Sequence, residues 1–497
     1  MGMSKQTISI IHAADLHLGA PFRGIAQAGS AAGMPAQVRD ALLEATFNAL
    51  DRLVDLCLAR QPLALLLAGD LYNPEGGGLK SLNALQAACL RLNAADIAVI
   101  IIHGNHDPLS TQPAWQWPPN THVFGAEHPA SLPILLRDGK ACPGTPFGPH
   151  CPGKLPEEPG LRDCALIVHG ISHYQDLVTD NLALAISRHT QAVQGQIPPG
   201  IPCVGLAHCA VGERASAGES PYAPCSIADL AEARLDYWAL GHIHKRGQVS
   251  AEPTAWYSGN IQGLHINESG LKGCLEVEFA PGAKPQVQFH PLAPVAWANL
   301  EFTLHPEMQV NQMQAGLLAE IGQLAAEHFK SGSQGIIVRI RLCGRSKLHT
   351  WLHQNQAELA ASLQSGLQDN AGSTTFVWVK DIILETLPAL DLERAAKNAG
   401  LLGEALRGIA RLAEGPPEER AQALLGDSST ALGRLFNAPA LRQAGISAPD
   451  DPELLSLLAE AGLACVDLLG AELATEGETA AERPADGRKG QKSRDIE

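Results

Sequence analysis

Short apolar runs alternate with helical patterns through about the first 290 residues, and this alternation constrains the fold more than any other feature. TISIIHAAD (7–15) reads as a strand, and a helical stretch follows from about Pro35 to Arg60. LALLLAGD (63–70) is a second strand, SLNALQAACLRLNAA (81–95) a helix, and IAVIIIHGN (97–105) a third strand. The β-branched run Val99–Ile102 marks that strand as buried. ALIVHG (165–170), PCVGLAHC (202–209) and DYWALGHIH (236–244) continue the series. Such alternation predicts an α/β layered domain. In open α/β sheets, ligands and catalytic groups collect beyond the carboxyl ends of the strands.

Those ends are chemically alike. The first run closes on Asp15-Leu16-His17, the second on Gly69-Asp70, and the third on Gly104-Asn105-His106-Asp107. Later runs carry Gly205-Leu206-Ala207-His208 and Gly241-His242-Ile243-His244. One aspartate at a strand end is ordinary, and one histidine on an apolar run is more often a satisfied core residue than a ligand. Five such ends in succession are a different matter. The D-x-H and H-x-H pairs place side chains i and i+2 toward one site. Carboxylate and imidazole donors without thiolates suit Mn²⁺, Fe²⁺ or Zn²⁺. Two metals a few ångströms apart need a shared anionic bridge, which a carboxylate such as Asp70 can supply. Such a pair activates a bridging water and clamps both the attacking and the leaving oxygen of a phosphoester. The glycines before Asp70, Asn105 and His242 permit the sharp exit and close approach that ligation needs.

Bulk properties narrow the function class. A net charge of -16 over 497 residues argues against a protein that coats nucleic acid, while leaving room for a local basic face. No apolar run approaches the roughly 18 residues that span a bilayer, so no membrane partner is expected. The start, MGMSKQTISIIHAADLH, does not read as a secretory signal. Eleven cysteines without a C-x-x-C pair read as free thiols in a reducing cytoplasm.

The ordered set D-x-H…GD…GNHD…H…GHxH resembles the calcineurin-like metallophosphoesterase superfamily over about residues 7–290. Within it, HAADLHLGAPF and AGDLYNPE resemble the SbcD/YhaO group of DNA repair exonucleases. The resemblance implies a layered αββα sandwich, a small α+β capping domain and a helical C-terminal region. It implies that Asp15, His17, Asp70 and His244 hold one metal and Asp70, Asn105, His208 and His242 the other, Mn²⁺ being the expected ion. His106 would sit just outside the metals, stabilising the transition state or protonating the leaving oxygen, with Asp107 orienting it. Some relatives carry histidine or aspartate three residues after the GD aspartate; here that residue is Asn73, which cannot transfer a proton but can contact a phosphate. GDLYNPEG also lacks the arginine of the phosphoprotein phosphatases' GDxxDRG pattern.

The implied function is a two-metal-dependent exonuclease or phosphodiesterase acting at DNA ends in repair. A small-nucleotide phosphodiesterase and a mainly architectural repair subunit are the alternatives. Arg23, Lys245 and Arg246 flank the motifs, where a phosphate backbone would pass, and His173 is placed along the substrate groove. His12 and His103 are assigned to the core, and Trp115 and Trp117 to packing of their loop.

The expected domains are a phosphoesterase over 1–295, a capping α+β unit over 296–388, a helical partner-docking region over 389–470 and a disordered polar tail over 471–497. The Pro- and Gly-dense stretch 140–163 reads as a surface excursion without a metal site at His150 or Cys151, and strands at 254–257, 271–279 and 285–290 as the rest of the second sheet. Leu454, Leu458, Ala461, Cys465 and Leu468 recur at helical spacing, and LERAAKNAGLLGEALRGIARLAEG reads as a further helix closed by Gly415. These helices either pack on one another or, as the resemblance implies, dock on an SMC-like ATPase; a homodimer is left open.

Overall fold

A computed structural model describes residues 7–22, 34–73, 78–113, 115–152, 163–212, 222–368, 375–389, 396–397, 400–426, 434, 448–462 and 465. Arg23, Leu468 and the tail over 471–497 lie outside the described residues. The chain divides into two compact units, one of residues 1–344 with 348–386, the other of 345–347 with 387–497.

In chain order the first unit begins β1 (Ile8–Ala13), α1 (Ala36–Arg60), β2 (Ala64–Ala68), α2 (Gly78–Ala94), β3 (Ala98–Ile102) and β4 (Thr121–Val123). It continues β5 (Ala130–Arg137), β6 (Lys140–Pro143), β7 (Phe147–Gly148), β8 (Cys151–Pro152), β9 (Cys164–Gly170) and α3 (Leu182–Val193). Next come β10 (Cys203–His208), α4 (Ile227–Glu232), β11 (Tyr237–Gly241), β12 (Gly247–Ala251), β13 (Thr254–Tyr257), β14 (Gly273–Phe279) and β15 (Gln286–Pro291). One sheet runs β15-β14-β1-β2-β3-β4 and a second β12-β13-β11-β10-β9-β5-β7-β8, with β6 paired to β5.

Strand period decides which side chains meet. Ile10, Leu66 and Ile100 of the first sheet pack on Leu132, Leu166, Val168, Leu206 and Tyr237 of the second. Their neighbours one residue along, Ile11, Leu65, Leu67 and Ile101, point the other way onto Leu53 and Cys57 of α1 and Leu85 and Leu92 of α2. On the outer face of the second sheet, Trp238 and Leu240 meet Ala183 and Ile186 of α3 and Leu230 of α4. The layers are therefore α, β, β, α, as expected.

Two local expectations change. The strands over 271–279 and 285–290 join the first sheet, because β14 pairs antiparallel with the free edge of β1 (Ile10 opposite Val277). The stretch after Lys140 contributes the edge strands β6, β7 and β8, and Phe147 is fully buried, so this part is sheet and core rather than excursion. His150 stacks on His128 with ring centroids 4.0 Å apart.

The same unit continues with β16 (Val295–Thr303), α5 (Val310–Lys330), β17 (Gly335–Ser346), α6 (His349–Gln368) and β18 (Phe376–Pro388), a three-stranded sheet covered by two helices. Helix α6 was not expected. In the second unit, α7 (Leu401–Glu414) and α8 (Pro417–Leu425) precede a helix over 451–462. Arg420 is buried there: it donates to the α7 carbonyls of Leu412 and Ala413 at 3.1 and 2.9 Å, and its Nη1 lies 2.5 Å from Asp451. Leu454 and Leu458 are buried, whereas Ala461 is exposed. No helix among the described residues is long and apolar enough to cross a membrane.

Candidate metal centre

The parallel strands β1, β2, β3, β10 and β11 all deliver their carboxyl ends to one edge of the sandwich. There the loops after β1 and β2 are zipped together by backbone bonds from Asp15 N to Gly69 O, His17 N to Asp70 O and Leu18 N to Leu71 O, each 3.0 Å. Asp15, His17, Asp70 and His242 all adopt positive φ (51°, 44°, 52° and 99°). Non-glycine residues rarely hold this conformation, and it persists where surrounding bonds over-determine it, most often at functional sites.

Two groups of donors converge: Asp15, His17 and His244, and Asp15, Asp70 and His208, with ligand atoms within 4.8 Å of one another in each. Asp15 is common to both groups, and Asp70 bridges toward the first, its Oδ2 3.3 Å from His208 Nε2 and 3.8 Å from His17 Nε2. Asn105 adds its side-chain oxygen 3.0 Å from His208 Nε2. His242 lies alongside, its ring 5.3 Å from that of His208 and 5.4 Å from that of Tyr222, while its backbone N–H donates to both Asp15 oxygens.

The hydrogen bonds at the far side of each imidazole tell what faces inward. His208 Nδ1 donates to Ala68 O at 2.9 Å, and His244 Nδ1 donates to Glu268 Oε1 at 2.7 Å. In the neutral rings the proton therefore sits on Nδ1 and the Nε2 lone pair points into the centre. His244 Nε2 lies 2.9 Å from His17 Nε2, and His208 Nε2 faces only acceptors, Asn105 Oδ1 and Asp70 Oδ2. Converging lone pairs of this kind require a cation or a shared proton. Titration behaviour agrees. Burial opposes charge on His208, yet the Asp70 carboxylate outweighs it and lifts His208 to about 9. Burial likewise opposes ionisation of Asp70, but His208 and His17 hold it well below the usual carboxylate range. A proton on His208 occupies the place a metal would take, and the oxygen and imidazole donor set fits Mn²⁺, Fe²⁺ or Zn²⁺.

The remaining expected residues have definite places. His106 is exposed at the mouth, its ring centroid 5.1 Å from that of His17, and its backbone N–H donates to Asp70 Oδ1 at 2.9 Å. Asp107 is buried, and its oxygens are taken by Leu71 N, Gly104 N and His103 Nδ1; none of these is the His106 ring it was expected to orient. Asn73 Oδ1 accepts from His17 Nδ1 at 2.7 Å, so it holds a ligand candidate in place. His173 is fully buried behind His208, donating to its backbone oxygen at 2.7 Å, and cannot line a groove. Arg246 lays its guanidinium 3.5 Å over the Phe289 ring, and Lys245 is exposed. His12 and His103 are core residues, as expected, and Trp115 and Trp117 pack on the core. Glu268 was not foreseen: burial opposes its ionisation, but bonds from His244, Leu264 and Asn260 hold it down to about 2. It lies in a loop 24 residues after His244, and no motif spacing points to it.

Residues 8–246 match the calcineurin-like phosphoesterase family, and residues 297–387 match the middle domain of the metallophosphoesterase YhaO. The chain is 28% identical over 377 residues to the uncharacterized metallophosphoesterase YhaO of Bacillus subtilis strain 168, covering 75% of this chain and 80% of that protein. It is 28% identical over 304 residues to a subunit of the SbcCD nuclease of Rhodobacter capsulatus, covering 56% of this chain and 68% of that one. A dimetal phosphatase structure from Danio rerio aligns with 57% of this chain and 98% of its own at 12% identity and a TM-score of 0.29, too loose a likeness to bear on the site. Residues 8–246 thus form a calcineurin-like phosphoesterase domain, followed over 297–387 by a middle domain of the YhaO type.

Proposed function

We propose that this metallophosphoesterase is a two-metal phosphodiesterase that hydrolyses DNA ends in repair. The observation that carries it is the convergence of bare imidazole nitrogens and carboxylates: His17, His208 and His244 with Asp15 and Asp70. Asp15, His17, Asp70 and His244 would hold one ion, and Asp70, Asn105, His208 and His242 the other, Mn²⁺ being the preferred species. When bound, the ions supply an activated water and stabilise charge on the phosphoester oxygens.

The chain's own residues do the rest. His106, exposed beside His17 and fixed through its backbone bond to Asp70, is the proton carrier for the leaving oxygen. Asp107 holds the loop beneath it by tying Leu71, Gly104 and His103 together. Asn73 steadies His17 and carries no proton. Exposed Lys245 meets the phosphate backbone, with Arg246 beside it and Arg23 outside the described residues.

The relative from Rhodobacter capsulatus is named as part of a nuclease. That supports a nuclease over a small-nucleotide esterase, and it supports docking of the helical region on an SMC-like ATPase that delivers DNA ends to an acidic chain. Cytoplasmic location belongs to the same reading.

The deciding experiment assays the full chain with Mn²⁺ on linear duplex DNA, single-stranded DNA and a simple phosphodiester. Release of nucleotides from DNA ends, weakened as salt rises, is expected. Turnover of the simple ester with DNA untouched would favour the small-nucleotide reading. No Mn²⁺-dependent turnover of any of the three would leave an architectural role.

A further inference from the structure

We propose that Glu268 is the positioning residue for His244, and that the loop carrying it is gripped by β16, so the first metal site depends on a strand of the small α+β layer. The inference rests on the metal centre described above and extends it to residues that no motif contains.

Glu268 is nearly buried, and both of its oxygens accept hydrogen bonds. Oε1 accepts from His244 Nδ1 at 2.7 Å and lies 3.1 Å from His265 Nε2. Oε2 accepts from Asn260 Nδ2 and Leu264 N, each at 2.7 Å. A carboxylate bound by three donors, with His265 Nε2 close by, is fixed in place. Its effect is indirect: it keeps the His244 proton on Nδ1 and leaves Nε2 bare toward His17, 2.9 Å away. Carboxylates behind metal-binding imidazoles fix tautomer and ring orientation in this manner.

The loop touches the same half of the centre at further points. Asn260 is fully buried and forms a β-bridge with Ala14, the residue before Asp15, and its N–H reaches His244 O at 3.4 Å. Lys272 Nζ donates to the same His244 oxygen at 2.9 Å. Contacts from this loop thus flank both Asp15 and His244.

The loop's other side belongs to β16. Gln262 exchanges bonds with Val295, donating to its oxygen at 2.8 Å and accepting from its N–H at 3.3 Å. The indole N–H of buried Trp297 donates to Gly263 O at 2.7 Å, and Gly270 N donates to Trp297 O at 3.1 Å. Asn299 Nδ2 donates to Ile266 O at 3.2 Å. A β-carbon on Gly263 would sit 2.9 Å from the Trp297 ring, so strand and loop are in direct contact. Through this loop, β16 joins the α+β layer to the part of the centre that holds Asp15 and His244.

The test titrates Mn²⁺ into the full-length metal-free protein by calorimetry and records Mn²⁺ paramagnetic resonance. Glu268→Gln keeps the shape but removes the charge and one of the two acceptor oxygens. With the remaining oxygen serving Asn260 and Leu264, an amide NH₂ faces His244 Nδ1 in place of its acceptor. It should weaken one of two ions by roughly 10–100-fold and leave the other unchanged. The exchange-coupled spectrum of the ion pair should then give way to that of a single ion. Trp297→Phe, which keeps an aromatic ring there while removing the indole N–H and part of the ring, should weaken the same ion several-fold; if Glu268→Gln does not fold, this variant decides. Equal affinities in wild type and Glu268→Gln would overturn the role of Glu268, and equal weakening of both ions would overturn it as general loosening. A selective effect of Glu268→Gln with none from Trp297→Phe would overturn the link to β16. A wild type that binds no pair of ions would sink the metal-centre reading itself and this inference with it.

Discussion

Replacing Gly241 by alanine tests whether close backbone approach behind the ligands builds the site. Gly241 closes β11, and a β-carbon there would lie 1.9 Å from Ala68 O and 2.8 Å from His208 Nδ1. Ordinary carbon–oxygen contacts begin near 3.3 Å, so the ends of β11 and β2 must part by roughly 1.4 Å. Overpacking of this kind costs roughly 1–3 kcal/mol. The parting also weakens the bond from His208 Nδ1 to Ala68 O, worth roughly another 1 kcal/mol. Gly241 is not among the positive-φ glycines, so alanine adds no backbone strain and the loss is steric. Urea unfolding of the metal-free protein should therefore show about 2–4 kcal/mol of destabilisation. Calorimetric titration should show Mn²⁺ bound roughly 10–100-fold more weakly, because His208 loses the partner that orients it. Stability and affinity both within error of wild type would refute the reasoning, since the clash would then have been absorbed without disturbing His208.

Acid should destabilise the fold through buried neutral histidines, and His12 gives the cleanest case. Burial lowers it from 6.5 to about 3, with Tyr237 Oη and Leu240 O at its two nitrogens. The unfolded chain takes up a proton below 6.5 and the folded chain does not, so stability is complete above 6.5 and is lost as pH falls toward 3. At pH 5 the loss attributable to His12 is about 2 kcal/mol, read as the difference in pH slope between wild type and His12→Gln; identical slopes would contradict it. His106→Ala should keep both metals and lower Mn²⁺-dependent turnover by roughly 10²–10⁴-fold, because only the backbone of His106 touches Asp70. Loss of metal in that variant would make the ring a ligand.

What was legible in the chain is what strand period and strand ends record. The apolar runs at 7–15, 63–70 and 97–105 each stop where Asp15, Asp70 and Asn105 begin, and parallel pairing of β1, β2 and β3 brings those stops together. His12 and His103 were readable as core because they lie inside the runs. The bonds from Glu268 to His244, Asn73 to His17 and Asp107 to Leu71 were not, because they arise from loop closure between segments tens of residues apart. The sheet membership of β14 was hidden for another reason. An apolar strand carries no mark of which edge it will join, and only the free edge of β1 decides it. Short strands such as β7 and β8 hide in Pro- and Gly-rich sequence because two residues show no period.

The most direct measurement is the number of Mn²⁺ ions bound by wild type and by Asp70→Ala, counted by calorimetry with paramagnetic resonance on the same samples. Asp70 Oδ2 lies between His17 and His208, so its loss removes the one carboxylate proposed to serve both ions. Two coupled ions in the wild type and none held at comparable affinity in Asp70→Ala is the expected result; two ions of undiminished affinity in Asp70→Ala would contradict the bridged metal pair.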